Sequence, residues 1–213
     1  MIVPPKFNVI DITGCHGDLI SNCIERSGIR CNYKSSPASD ISEKVIFVTY
    51  GFELYPRVMT LRFLNTILDQ YNKGNTDSFK SWKKHYLGNI SIDDPNSITY
   101  NDWAHHTVKS LRHVGKYAPL NGILETLIVD NNARDKTYYE LPLETLINNS
   151  DAAIKNIEDW TQTSWNNSIK AYYLEWLDKD NLRLRPWLEE FKKVEIEAEN
   201  NNLYPEIKHV KSY

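Results

Sequence analysis

The stretch Val9-Ile10-Asp11-Ile12-Thr13-Gly14-Cys15-His16-Gly17-Asp18-Leu19-Ile20 constrains the fold more than any other, because a short β-prone run enters a glycine-flanked turn and leaves as a helix. Two glycines let the backbone turn tightly with its N–H groups pointing inward, and the following helix adds the positive end of its dipole. That is the outline of an anion-holding loop. Its side chains are unusual for phosphate: no Lys follows the last glycine, no Ser or Thr follows a Lys, and Asp18 brings a negative charge to the same place.

The order of elements gives the architecture. Residues 7–13 read as a strand and 18–27 as a helix ended by Ser27-Gly28, with Ile29-Arg30-Cys31 as a short second strand. A polar, turn-rich loop at 35–40 leads into Lys44-Val45-Ile46-Phe47-Val48-Thr49-Tyr50, whose nearly unbroken apolar run suits a strand covered on both faces. Pro56 to Tyr71 then carries Val58, Met59, Leu61, Leu64, Ile67 and Leu68 at helical spacing, with Pro56 suited to a first turn. Two strand–helix units in succession require crossover connections, hence an α/β fold with a central parallel sheet flanked by helices.

Further along, Thr76–Leu87 reads as a helix with Phe79, Trp82 and Tyr86 on one side, and Ile90–Ile98 as a loop. A helix is expected from just after Tyr100-Asn101-Asp102 through His113, while Gly122–Val129 fits either a third buried strand or the end of a helix. Thr137–Leu141 reads as a short strand running into a helical turn that starts at Pro142. From Asp151 the pattern is mainly helical, through Ile154, Ile157 and Trp160, then Ile169, Tyr172, Tyr173, Trp176 and Leu177. A last helix is read from Trp187 to Ala198, after Arg185-Pro186. The Asn-rich segment 200–202 marks a weak end to order, and the aromatic tail to Tyr213 is expected to pack back.

A chain of 213 residues can bury a full core, so the expectation is one α/β domain over 1–199 and a tail over 200–213. The formal charge of -3 provides no global attraction to nucleic acid or an acidic membrane, and the Lys83-Lys84-His85 and Lys192-Lys193 runs are too short to add a local one. Met1-Ile2-Val3-Pro4-Pro5 runs directly into the first strand and no apolar run approaches bilayer length, which together predict a cytoplasmic protein without a membrane or nucleic-acid partner. Cys15, Cys23 and Cys31 lack C-x-x-C spacing and predict reduced thiols. No metal is expected: His105 and His106 are adjacent, and neighbours on a helix point about 100° apart. Thirteen tyrosines and six tryptophans imply either a core of large rings or an aromatic surface covered by a protein partner or a second copy.

The segments Ile10–Ile20, Lys44–Thr49 and Tyr138-Tyr139-Glu140-Leu141-Pro142-Leu143-Glu144-Thr145-Leu146 together resemble the sulfotransferase family, in order and hydrophobic pattern over roughly residues 7–180. The resemblance implies a sulfotransferase-like three-layer fold with a helical C-terminal part. It also implies a 3′-phosphoadenosine 5′-phosphosulfate donor and transfer of a sulfuryl group to a hydroxylated acceptor. The first segment falls where the family holds the donor's phosphosulfate, and the second where a strand end supplies Arg and Ser to the nucleotide 3′-phosphate. Lys or Arg of the family loop is replaced by Cys15 or His16, the following Ser/Thr by Asp18-Leu19, and the Arg at the strand end by Thr49.

Under that resemblance His16 is the catalytic candidate, as base or oxyanion donor; a polar turn residue bonded to backbone is its plainer role. Gly14, Cys15, Gly17 and Asp18 would line the donor loop, although the glycines also have a purely structural use and Asp18 an ordinary one in a first helical turn. Thr49, Arg57 and Arg62 would approach the 3′-phosphate. Both arginines fall on the solvent-facing phase of the 56–71 helix, where solvation alone accounts for them. The competing class is a binding or structural protein that keeps the fold without the chemistry, with exposed members of Trp103, Trp160, Trp165, Trp176 and Trp187 as its contact surface.

Overall fold

The computed structural model describes residues 7–11, 14–35, 44–83, 92–117 and 123–203. The chain divides into two compact units, Met1–Leu54 with Leu120–Leu182 and Tyr55–Pro119 with Arg183–Tyr213. Residues 12–13, 36–40, 84–87, 90–91, 122 and 204–213, on which parts of the sequence reading fall, lie outside the described residues.

The first unit is built on four parallel strands, β1 (Phe7–Asp11), β2 (Cys31–Ser35), β3 (Lys44–Thr49) and β4 (Thr137–Pro142), in the order β2-β1-β3-β4. All five residues of β1 are buried, and so are Val45 to Thr49 of β3. The two central strands are therefore the apolar runs, as burial on both faces demands. Edge strand β4 is largely exposed, with Leu141 its one fully buried residue. Helices flank the sheet: α1 (Gly17–Arg26) packs on β1 and β2, α6 (Ile123–Asp130) on β3, and α7 (Leu143–Asn148) on β4 and on α8 (Ser150–Thr161).

β2 begins at Cys31 rather than Ile29. Gly28 closes α1 at φ +90°, and residues 29–30 carry the chain to the start of the register, where Cys31 lies opposite Phe7. The ambiguous apolar run before Asn131 is helical. Pro142, in extended conformation, is the N-cap of α7, which agrees with a proline at the start of that turn.

The second unit contains α2 (Tyr55–Arg62), a π-helical segment Phe63–Leu68, α3 (Asp69–Asn72), α4 (Asp77–Trp82) and α5 (Tyr100–Tyr117). One further helix, α9 (Asn167–Asn200), contributes residues to both units. The expected 56–71 helix is thus a single path with a widened centre, which hydrophobic spacing does not reveal. Helix α5 starts at Tyr100, earlier than expected, because Thr99 and Asp102 form a reciprocal cap. The Thr99 hydroxyl oxygen accepts from the Asp102 N–H at 3.1 Å, and the Asp102 carboxylate accepts from the Thr99 N–H at 3.2 Å.

Rings dominate this second core. Phe63 stacks on Trp103 at 4.8 Å, and Trp187 meets Phe63, Trp103 and Tyr100 edge-on at 5.8, 6.1 and 4.7 Å. Helix α9 runs through Pro186 instead of restarting after it. An interior proline costs about 3 kcal/mol, and the neighbouring Trp187, set among three rings, offsets that cost by tertiary packing. Trp103, Trp165 and Trp187 are buried, whereas Trp160 and Trp176 are half-buried. None of these five forms an exposed aromatic face.

Cys15, Cys23 and Cys31 are buried and unbridged, and burial pushes Cys23 up to about 12 and Cys31 up to about 11, which keeps both as unreactive thiols. Among the described residues no group of three or more His, Cys, Asp or Glu is placed to hold a metal ion. No helix among them is long and apolar enough to cross a membrane.

The Trp103 indole donates to the Thr60 hydroxyl at 2.9 Å, and that hydroxyl donates to the Pro56 carbonyl at 2.7 Å. Thr60→Val leaves a buried indole N–H without an acceptor and is expected to destabilise the protein by about 1–3 kcal/mol in urea titration; Thr60→Ser, which keeps the hydroxyl, should cost clearly less.

Candidate functional site

In the chain order, β2 lies on one side of β1 and β3 on the other, so the strand order reverses between β1 and β3. The crevice beyond the carboxyl ends of these two strands is where open α/β sheets place their ligands. Asp11 ends β1 there, opposite Val48, and Thr49 ends β3 one residue further on.

Gly14, Cys15, His16, Gly17 and Asp18 are brought together at this end of β1, around a residue the sequence reading passed over. The Asp11 side chain is 1% exposed. Its Oδ2 accepts the Gly17 N–H at 2.9 Å, its Oδ1 meets the Tyr33 hydroxyl at 2.8 Å, and the Cys15 N–H bonds to it as well. The inward-pointing amides of the loop are therefore engaged by the chain's own carboxyl. Asp11 also serves as a cap for α1 from six residues upstream, since the N-cap residue His16 makes no side-chain cap. Tyr33 lies opposite Val9, two residues before Asp11 and so on the same sheet face, which is what lets its ring span the diagonal.

The two loop glycines have different reasons. Gly14 sits at φ +107°, a conformation open chiefly to glycine. Gly17 is an ordinary first helical residue, but a Cβ there would lie 2.8 Å from Asp11 Cγ and 2.9 Å from Tyr33 Cε2. His16 carries the left-handed turn without being glycine, at φ +64°. Its ring is buried, with Nδ1 3.5 Å from Asp180 Oδ2 on α9. At the other end of α1, Arg26 lies over the Tyr172 ring at 3.8 Å, so the two helices are bridged antiparallel at both ends.

Burial pushes the Asp11 carboxyl up to about 7, with the amides of Gly17 and Cys15 and the Tyr33 hydroxyl pulling down against it and Asp18 adding to the rise. Asp18, in the first turn of α1, is itself held above the ordinary carboxylate range by burial. Desolvation wins because no cation pairs with Asp11 among the described residues.

The end of β3 repeats the pattern. Thr49 Oγ1 donates to Glu140 Oε1 at 2.9 Å, and the Gly51 N–H donates to Glu144 Oε1 at 2.5 Å. Glu140 lies on β4 and Glu144 in the first turn of α7. Glu53 crowds the same point, with both its carboxylate oxygens within 2.8 Å of a Cβ built at Gly51. Arg57 and Arg62 belong to the second unit. Arg57 is buried and Arg62 half-buried, which corrects their expected solvent-facing phase: Tyr55 through Leu61 are all buried, so the first turns of α2 have no exposed stripe.

The sequence reading missed Asp11, Tyr33, Glu140 and Asp180 as participants. Asp11 did carry a signal, an acid at the end of a mostly apolar strand, three residues before Gly14. Tyr33 and Asp180 carried none, since only strand register and helix docking bring them in.

Gly17→Ala is expected to destabilise the fold by about 1–3 kcal/mol in chemical denaturation, because Asp11 and Tyr33 are locked and cannot yield to the methyl group. Gly51→Ala should cost less, since the nearest atoms it meets are the far ends of the Glu53 and Glu144 side chains.

The raised Asp11 carboxyl also sets a pH dependence. Between about pH 4 and 7 the folded chain keeps a proton that the unfolded chain has released, so stability falls as pH rises through that window. Relative to Asp11→Asn, the wild type should lose about 2–3 kcal/mol between pH 5 and pH 8. His106 on α5, drawn down to about 4 by burial, acts in the opposite direction below its unfolded value and cancels in the comparison of the two proteins.

Comparison with protein-family models, with curated proteins and with solved structures gives no match for this chain, and the geometry of the loop is what its function has to be argued from.

Proposed function

We propose that this protein is a binding or structural protein on the strand–loop–helix frame of nucleotide-handling α/β proteins, and that it carries no phosphosulfate donor in its first loop. One observation supports this reading above the others: the amides that would hold the donor already bond to Asp11. A phosphosulfate entering the loop would have to displace that carboxyl and break its bonds to Gly17, Cys15 and Tyr33. It would then face Asp18 with no Lys or Arg in the loop to offset the repulsion. Charge-assisted bonds contribute about 1.5–3 kcal/mol each, and a donor that took over the amides would leave the displaced Asp11 carboxyl without its own. The expected 3′-phosphate position carries the same obstacle, because the Thr49 hydroxyl is turned to Glu140.

A second reading, sulfuryl transfer from 3′-phosphoadenosine 5′-phosphosulfate to a hydroxylated acceptor, has one observation in its favour. His16 lies beside Asp180, and a carboxylate at Nδ1 is the arrangement that orients an imidazole for proton transfer at Nε2. In that reading Gly14, Cys15, Gly17 and Asp18 would line the donor and Thr49 would reach its 3′-phosphate.

Calorimetric titration with adenosine 3′,5′-bisphosphate separates the two. The binding-protein reading expects no heat of binding at millimolar nucleotide near pH 7. Micromolar binding that weakens in His16→Ala would overturn it in favour of sulfuryl transfer.

A further inference from the structure

We propose that edge strand β4 is a self-association surface, on which two copies of this chain pair their β4 strands antiparallel about a two-fold axis through Tyr138. Among the described residues β4 has a strand neighbour on one side alone, β3, which pairs with it from Thr137 to Pro142. Thr137, Tyr138, Glu140 and Pro142 are exposed. A strand edge presents unpaired N–H and C=O groups, and proteins commonly blunt it with a bulge, an interior proline or lysines. β4 has none of these: its register on β3 is unbroken and its proline is the last residue. The opposite edge, β2, carries Lys34 within the strand.

The side chains select a second copy as the occupant. A two-fold axis normal to the sheet makes the paired strands antiparallel and keeps each face, so every residue meets one from its own face. The central registers are those on Tyr138, Tyr139 and Glu140. A register on Glu140 sets like charges face to face. One on Tyr139 joins rings already stacked on their own Trp160 at 6.0 Å and leaves Glu140 opposite Tyr138. The register on Tyr138 sets Glu140 of each copy opposite Lys136 of the other, with the two Tyr138 rings side by side between these charge pairs. Tyr138 is 43% exposed and rests edge-on against Phe47 at 5.9 Å, on the face that also carries Glu140, whose Oε1 accepts from Thr49. Lys136 directly precedes the strand, and within one chain its Nζ is 3.9 Å from Asp135. Glu140 is thus a gatekeeper that opposes pairing in one register and supports it in another. Paired strands alone bury less than a standard interface, so the expected dimer is weak, with Kd about 10–100 μM. The surface is independent of what the β1–α1 loop binds, so this inference and the binding-protein reading fail separately.

The test is sedimentation equilibrium from about 1 to 500 μM, where reversible monomer–dimer exchange is expected. Monomer throughout overturns the proposal and leaves the edge to a strand of another protein. Glu140→Lys, which sets a lysine against Lys136, should weaken dimerisation about tenfold, and adding Lys136→Glu should restore it. A dimer indifferent to both changes overturns β4 as the surface. Should these variants fold poorly, single cysteines decide, because Cys15, Cys23 and Cys31 are buried. Residues directly opposite in antiparallel strands lie about 4.5–5.5 Å apart, within disulfide reach. Tyr138→Cys should therefore cross-link two copies under mild oxidation and Glu140→Cys should not; stronger cross-linking by Glu140→Cys overturns the register.

Discussion

The bond between the Asp11 carboxyl and the amides of the following loop is the constraint on which the sheet's carboxyl end depends. It ties the end of β1 to the first turn of α1 and, through Tyr33, to β2. A helix start leaves N–H groups that need acceptors, and most helices meet this need with a side chain at the N-cap. Here His16 occupies that position and its ring goes elsewhere, so the acceptor comes from the strand. Gly17 has to lack a side chain for the same reason: the carboxyl and the Tyr33 ring occupy the space a Cβ would take.

The same device appears one strand over. Thr49 and Gly51 point their donors at Glu140 and Glu144, as the loop amides point theirs at Asp11. At the carboxyl ends of both β1 and β3, backbone and side-chain donors face carboxyl groups of the protein itself. An internal carboxylate is held covalently near its donors and loses little freedom on binding them, whereas an external phosphate would lose much more and would also meet the remaining acids. The loop amides at the end of β1 are engaged by a carboxyl that is itself part of the fold.

Much of the architecture was legible before any coordinates. The Lys44–Thr49 run is a central strand because its burial on both faces requires an unbroken apolar stretch, and Ser27-Gly28 stops α1 because Gly28 takes a left-handed conformation. Other features were not legible. Spacing alone read a helix beginning at Trp187, because proline usually ends one; the ring packing around Trp187 decides that α9 continues through Pro186. The π-helical segment at Phe63–Leu68 leaves the hydrophobic spacing almost unchanged and so has no signature in it. Arg57 reads as solvent-facing on a helical wheel and is buried because the whole first part of α2 is covered.

The sequence by itself determined a parallel α/β sheet, the strand–glycine turn–helix at its first crossover, and the absence of basic residues from that turn. These are local properties, set by hydrophobic period, glycine placement and residue charge. Only the tertiary structure decided what fills the turn. Asp11 and Tyr33 are separated by 22 residues, and whether they meet depends on the register of β2 against β1, while Asp180 reaches His16 only because α9 docks along α1. A buried carboxyl's ionisation depends on the donors and charges around it in space, so the most consequential property of this loop could not be read from the order of its residues.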